Sequence, residues 1–135
     1  VEIWSVVSSI VPSQARIYVN AEANPQGYYV SFDLTPDCGG ATPCRVANLE
    51  ARRGGDFYKD STTQSPQLTN GVRGTYTNVR GSYYTALVQW KYQDVIYQAA
   101  VKHGRREDAI ALANSAIQGG VRTKLTKASG EVYME

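Results

Sequence analysis

Any histidine-dependent chemistry in this 135-residue chain would have to run through His103, its only histidine. Lys102 precedes it and Arg105 and Arg106 follow, so the imidazolium formed on taking a proton would sit among cations. No Gly-x-Ser-x-Gly elbow accompanies it, and the expected role is a capping or solvent-exposed residue where a strand meets a helix. Carboxylates could do acid-base work instead, and Asp33, Asp37, Asp56, Asp60 and Asp94 all fall on or near loops. Such chemistry needs two of them within reach of one substrate bond, and nothing in their spacing enforces convergence, so solvated turn aspartates are expected. No residue is assigned a catalytic or metal-binding role: oxygen ligands lack calcium-loop spacing, and no second Cys or His pair completes a zinc site. Gly39-Gly40 and Gly54-Gly55 read as turns, not as phosphate loops, and no cofactor is expected.

Cys38 and Cys44 are the only cysteines, and Gly39-Gly40-Ala41-Thr42-Pro43 between them is rich in turn formers. The spacing is too long for a Cys-x-x-Cys redox pair. A structural disulfide is the expectation, with two buried free thiols as the alternative. A disulfide implies an oxidising compartment: periplasm, thylakoid lumen or the exterior. No apolar run approaches the roughly 20 residues that cross a bilayer. Val1 stands where an initiator Met would, so a processed chain is expected, with any signal peptide, membrane tether or anchor lying outside it.

The elements that must position these residues are mostly strands. Ala15, Ile17 and Val19 alternate with polar neighbours; after Asn24-Pro25-Gln26-Gly27 the alternation returns as Tyr28, Val30, Phe32 and Leu34, which predicts a hairpin. Val46 to Ala51 is a third strand ended by Gly54-Gly55. Asp56 to Gln67 is polar and reads as an exposed loop of modest order, the best candidate for mobility. Leu68 to Val79 reads as a strand bulged or kinked at Gly71 and Gly74. Ala86, Val88, Trp90 and Tyr92 share one face, as do Val95, Tyr97, Ala99 and Val101, so a two-residue turn at Gln93-Asp94 sets Trp90 opposite Tyr97. Helical spacing then takes over: Ala109, Ile110, Leu112, Ala113, Ala116 and Ile117 form a stripe, Glu107 and Asp108 sit at its positive end, and Gly119 ends it.

The prediction is an α+β fold: an antiparallel sheet of about five to seven strands with one C-terminal-region helix packed on one face. Residues 1–120 form a single domain, and 121–135 a tail or an extra edge strand. Net charge is only +2 with both signs interspersed, which is not a nucleic-acid-binding pattern; Gly71-x-x-Gly74 matches an RNA-binding loop in letters alone. Ten Tyr against two Phe suit half-buried sheets, whose rings pack while their hydroxyls reach water. With one face in the core, Tyr29 and Tyr83 are the rings expected outside. Together with Arg52 and Arg53 they make the candidate interaction surface, with Arg80 also nearby in sequence, suited to protein recognition or to carbohydrate stacking.

Cys38-Gly39-Gly40-Ala41-Thr42-Pro43-Cys44, Leu68-Thr69-Asn70-Gly71-Val72-Arg73-Gly74, Trp90-Lys91-Tyr92 with Tyr97, and Leu112-Ala113-Asn114-Ser115-Ala116-Ile117 follow one another in an order that resembles a group of bacterial, largely cyanobacterial, envelope proteins. The closing strand, turn, strand and helix also look like the end of periplasmic sensor domains of anti-sigma factors. The resemblance implies an exported, membrane-tethered α+β module and assigns no activity to any residue. The function expected is a non-enzymatic accessory, sensor or protein-interaction module of the cell envelope whose partner is another envelope protein. A small carbohydrate-binding or hydrolytic domain using Asp33, Asp37 and Asp94 is the alternative, and a purely structural domain of a larger envelope protein is a third reading.

Overall fold

The computed structural model describes residues 16–38, 41, 43–81, 83–119, 125–128 and 131–134. Ala15, expected in the first strand, lies outside them. Six strands form one antiparallel sheet: β1 (Tyr18–Asn24), β2 (Gly27–Asp33), β3 (Arg45–Arg53), β4 (Gly74–Arg80), β5 (Tyr84–Tyr92) and β6 (Val95–Lys102). Their spatial order is β1-β2-β3-β6-β5-β4, two three-stranded meanders joined where β3 pairs with β6. That junction forces the chain leaving β3 to pass β6 and β5 before starting β4 at the far edge, which is why its connection is long. The helix α1 (Arg106–Gln118) packs on β5 and β6, and β7 (Leu125–Ala128) and β8 (Glu131–Met134) pair with each other in a separate hairpin.

Alternation along each strand is converted by register into rows across the sheet. Tyr28, Ala51, Tyr97, Trp90 and Gly74 make one row; Val30, Leu49, Ala99, Val88 and Tyr76 the next; Phe32, Ala47, Val101, Ala86 and Asn78 the third. This face carries the core. The helix meets it with Ala109, Leu112, Ala113 and Ala116, and small residues on both sides, Ala86 and Ala99 on the sheet, let the two surfaces approach closely. Asp108 accepts a hydrogen bond from the Arg105 N–H at 2.9 Å and closes the helix start. The predicted Trp90–Tyr97 pairing, the β1–β2 and β5–β6 hairpins and the helix are all found.

Three local expectations change. Leu68 to Val79 is not one strand: Thr69–Gly71 is a 3-10 turn, with Asn70 and Gly71 at positive φ (57° and 73°), and the strand begins only at Gly74. Gly74 is required there because a Cβ would come within 2.7 Å of the Gln89 carbonyl oxygen and 2.8 Å of Leu68 Cδ1; Leu68 fills that space. Leu34 and Tyr92, expected on the core face, lie at or beyond strand ends and are exposed, and a register shift between Phe32 and Asp33 takes Leu34 out of the alternation.

The stretch Asp56 to Gln67 is not a free loop. Gln64 and Tyr76 exchange main-chain hydrogen bonds at 2.8 Å, and the Thr63 and Thr77 hydroxyls are 2.8 Å apart. The Tyr58 N–H donates to Gln89 Oε1 at 2.8 Å, and Gln89 Nε2 donates in turn to Gln98 Oε1 at 3.1 Å. The segment therefore tracks the outer edge of β4 and satisfies polar groups on the second face, where Gln89 and Thr77 are almost fully buried.

Candidate interaction surface

The four residues expected to share a surface are divided between the two ends of the sheet. Arg52 and Arg53 end β3 beside the β1–β2 and β5–β6 turns. Arg52 Nη1 lies 3.7 Å from Glu50 Oε2, and Arg53 Nη1 lies 3.8 Å from Asp94 Oδ2 while its Nε donates to the Pro25 carbonyl at 3.3 Å. Tyr29 is half-buried on the same face as Arg52, opposite Glu50. Tyr83 stands at the other end, in the turn between β4 and β5, and it too is half-buried; its neighbour Tyr84 is the exposed ring, at 52 %. The doublet is resolved by that turn. Tyr84 pairs with Arg80 at the last rung of the hairpin, while Tyr83, one residue outside it, folds onto β3 and β6.

Tyr83 ties three segments together. Its hydroxyl accepts a hydrogen bond from Arg45 Nη2 at 3.0 Å, at the start of β3. Its ring meets the His103 ring edge-on at 5.7 Å, where β6 turns into the helix. His103 adopts a positive φ of 56° and its N–H donates to the Tyr84 carbonyl at 2.7 Å, fixing the junction against the hairpin. Its side chain is exposed, in the predicted place between strand and helix.

Arg45 belongs to a set. The Arg80 guanidinium lies over the Tyr84 ring, 5.2 Å from its centroid, and that of Arg106 lies over Tyr76 at 5.9 Å, with Arg106 Nε donating to Gln64 Oε1 at 3.0 Å. Three arginines are thus held by tyrosines and an amide. Those partners fix the guanidinium without cancelling its charge, because the ring quadrupole and the phenol oxygen are neutral. The pattern contrasts with Arg52, Arg53 and Arg105, each of which has a carboxylate within 4.0 Å: Glu50, Asp94 and Asp108. Asp60 is close enough to Arg80 for the cation to help lower its pKa. The main cause of that lowering is hydrogen bonding from the Thr62 hydroxyl and N–H, both 2.7 Å from Oδ1.

The disulfide predicted from the cysteine spacing is present between Cys38 and Cys44, with a Cα separation of 5.9 Å. Its loop extends the β2–β3 hairpin: the Leu34 N–H donates to the Cys44 carbonyl at 2.8 Å, and the Arg45 N–H donates to the Ala41 carbonyl at 3.0 Å. The crosslink therefore closes directly beside Arg45 and sets where that side chain leaves the sheet. Sequence spacing gave no sign of the three arginine–tyrosine pairs; Arg45 and Tyr83 are 38 positions apart, and only the β3–β6 junction brings them together.

The carboxylates do not gather. Asp33 is fully buried at the end of β2 and accepts a hydrogen bond from the Ser31 hydroxyl at 3.0 Å, whereas Asp94 is exposed in the turn at the opposite end of the sheet. Asp37 is exposed beside the disulfide, and Asp60 is occupied by its own turn. Among the described residues no three His, Cys, Asp or Glu side chains come close enough to hold a metal ion, and no helix is long and apolar enough to cross a membrane. What the arrangement provides is a cationic and aromatic surface at the end of the sheet where Arg45, the Tyr83–Tyr84 pair and the helix start lie. Compared with protein-family models, curated proteins and solved structures, the chain gives no significant match.

Proposed function

We propose that the chain is a non-enzymatic interaction module of the bacterial cell envelope and that it meets another envelope protein through the arginine–tyrosine end of its sheet. The observation that carries this reading is the convergence of Arg45, Tyr83 and His103 from three separate segments into one fixed cluster, next to the exposed Tyr84 ring and its Arg80. Tyrosine and arginine are the residue types that anchor protein contacts, because they offer large areas and directional donors at low conformational cost. The disulfide supports the exported location, since such bonds persist in oxidising compartments. The resemblance of the motif order to that of bacterial envelope proteins points the same way.

The test is retention from detergent-solubilised envelope extract on the immobilised, oxidised protein, with bound protein and small molecules identified by mass spectrometry. One protein species retained saturably, and displaced by excess soluble domain, is the expected result. Recovery of only a sugar or metabolite would overturn the reading.

A further inference from the structure

We infer that the contact surface takes a carboxylate-rich, extended segment of the partner protein, held by Arg45, Arg80 and Arg106. The inference rests on the interaction-module reading and adds the chemistry of the partner. Its basis is the contrast between two groups of arginines at opposite ends of the sheet; Arg16 and Arg73, the latter donating to the Ser65 carbonyl at 3.0 Å, belong to neither. At the β5–β6 turn, Arg52 and Arg53 have Glu50 and Asp94 beside them, so an incoming carboxylate meets cations already paired. Arg45, Arg80 and Arg106 are positioned by the Tyr83 hydroxyl, the Tyr84 ring and the Tyr76 ring, and among the described residues none of the three has a carboxylate within 4.0 Å. Asp60 interacts electrostatically with Arg80 but forms no ion pair with it within 4.0 Å, and its Oδ1 is engaged by Thr62.

The geometry favours a peptide. Tyr76 and Arg80 lie four residues apart on one face of β4, about 13 Å along the strand. The segment that tracks the outer edge of β4 pairs with Gly74 through Pro66 and with Tyr76 through Gln64, and its Thr62 hydroxyl accepts from the Asn78 N–H at 3.3 Å. Among the described residues no main chain continues that pairing at Arg80. An extended segment that continues the edge pairing at Arg80 and then crosses the end of the sheet over β5 and β6 toward Arg45 would carry its acidic side chains past the guanidinium groups.

The experiment follows the anisotropy of a short fluorescent poly-L-glutamate peptide on titration with the oxidised protein. Arg45→Gln, Arg80→Gln and Arg106→Gln should each weaken binding about twofold to fivefold, and added salt should weaken it further. The control is Arg52→Gln with Arg53→Gln, which removes the same charge as Arg80→Gln with Arg106→Gln but at the other end of the sheet. Circular dichroism verifies that each variant folds. Equal weakening by the two double variants would reduce the binding to net charge and overturn the inference; so would tighter binding of alginate, a polyuronate without peptide groups. The two readings fail differently. If the triple arginine variant retains the envelope partner as well as the unaltered protein does, the acidic-segment inference falls and the interaction module stands. If no protein is retained by either, the interaction module itself falls, and this inference with it.

Discussion

Trp90 on β5 and Tyr97 on β6 lie directly opposite each other, their rings stacked with centroids 5.6 Å apart and planes 9° from parallel. Tyr28 adds a third ring, 6.4 Å from Tyr97 across the intervening strand β3. This aromatic row closes the core at the end where the β5–β6 turn reverses the chain. Trp90, 5 % exposed, has little room to be replaced. Trp90→Ala should cost about 3–5 kcal/mol in urea denaturation, and a double-mutant cycle with Tyr97→Ala should give a coupling of about 0.5–1.5 kcal/mol. Simple additivity would mean that the two rings are neighbours without interacting.

Asn114 links the helix to the 3-10 turn, its Oδ1 accepting from the Thr69 N–H at 2.8 Å, while Gln118 Nε2 reaches the Thr69 hydroxyl at 3.3 Å. Two of the sequence motifs, Leu68 to Gly74 and Leu112 to Ile117, thus dock on each other. Asn114→Ala leaves a partly buried N–H unpaired and should lower stability by about 1–2 kcal/mol, whereas Asn114→Asp keeps an acceptor and should lose less. Equal losses in thermal or urea unfolding would show that the acceptor is not what matters.

Opening the disulfide should leave the sheet intact. The loop is short, and the chain-entropy relation gives roughly 2.4 kcal/mol for closing it. Cys38→Ser with Cys44→Ser is expected to fold with the same far-ultraviolet spectrum and a lower urea midpoint. Failure to fold would mean that the crosslink organises more than the β2–β3 connection.

Alkaline pH should destabilise the fold. Burial raises the Tyr28 phenol far above its ordinary pKa, with Tyr97 adding to the shift; burial also raises Tyr97, helped by Tyr92 and opposed by Arg53. The folded state holds these protons more tightly than the unfolded chain, so stability is unaffected by them below about pH 10 and falls as the pH rises through that range. Urea midpoints measured from about pH 9 to about pH 11 should decline, and less steeply in Tyr28→Phe. An identical decline in that variant would assign the effect to other groups.

Much of the fold was legible in the sequence because its signals are local. Period-two alternation around Pro25-Gln26 and Gln93-Asp94 determined two hairpins and the facing of Trp90 and Tyr97. The spacing of Ala109, Leu112, Ala113 and Ala116 determined the helix, and the turn-rich run between Cys38 and Cys44 determined the disulfide. Only the tertiary structure decided that β3 pairs with β6, since no local pattern records which strands of different hairpins become neighbours. That one junction sends the polar Asp56 to Gln67 segment along β4 and brings Arg45 to Tyr83. The candidate surface was hidden for the same reason: periodicity reports which face a residue occupies, whereas the partner of a guanidinium is fixed by chain segments tens of residues away.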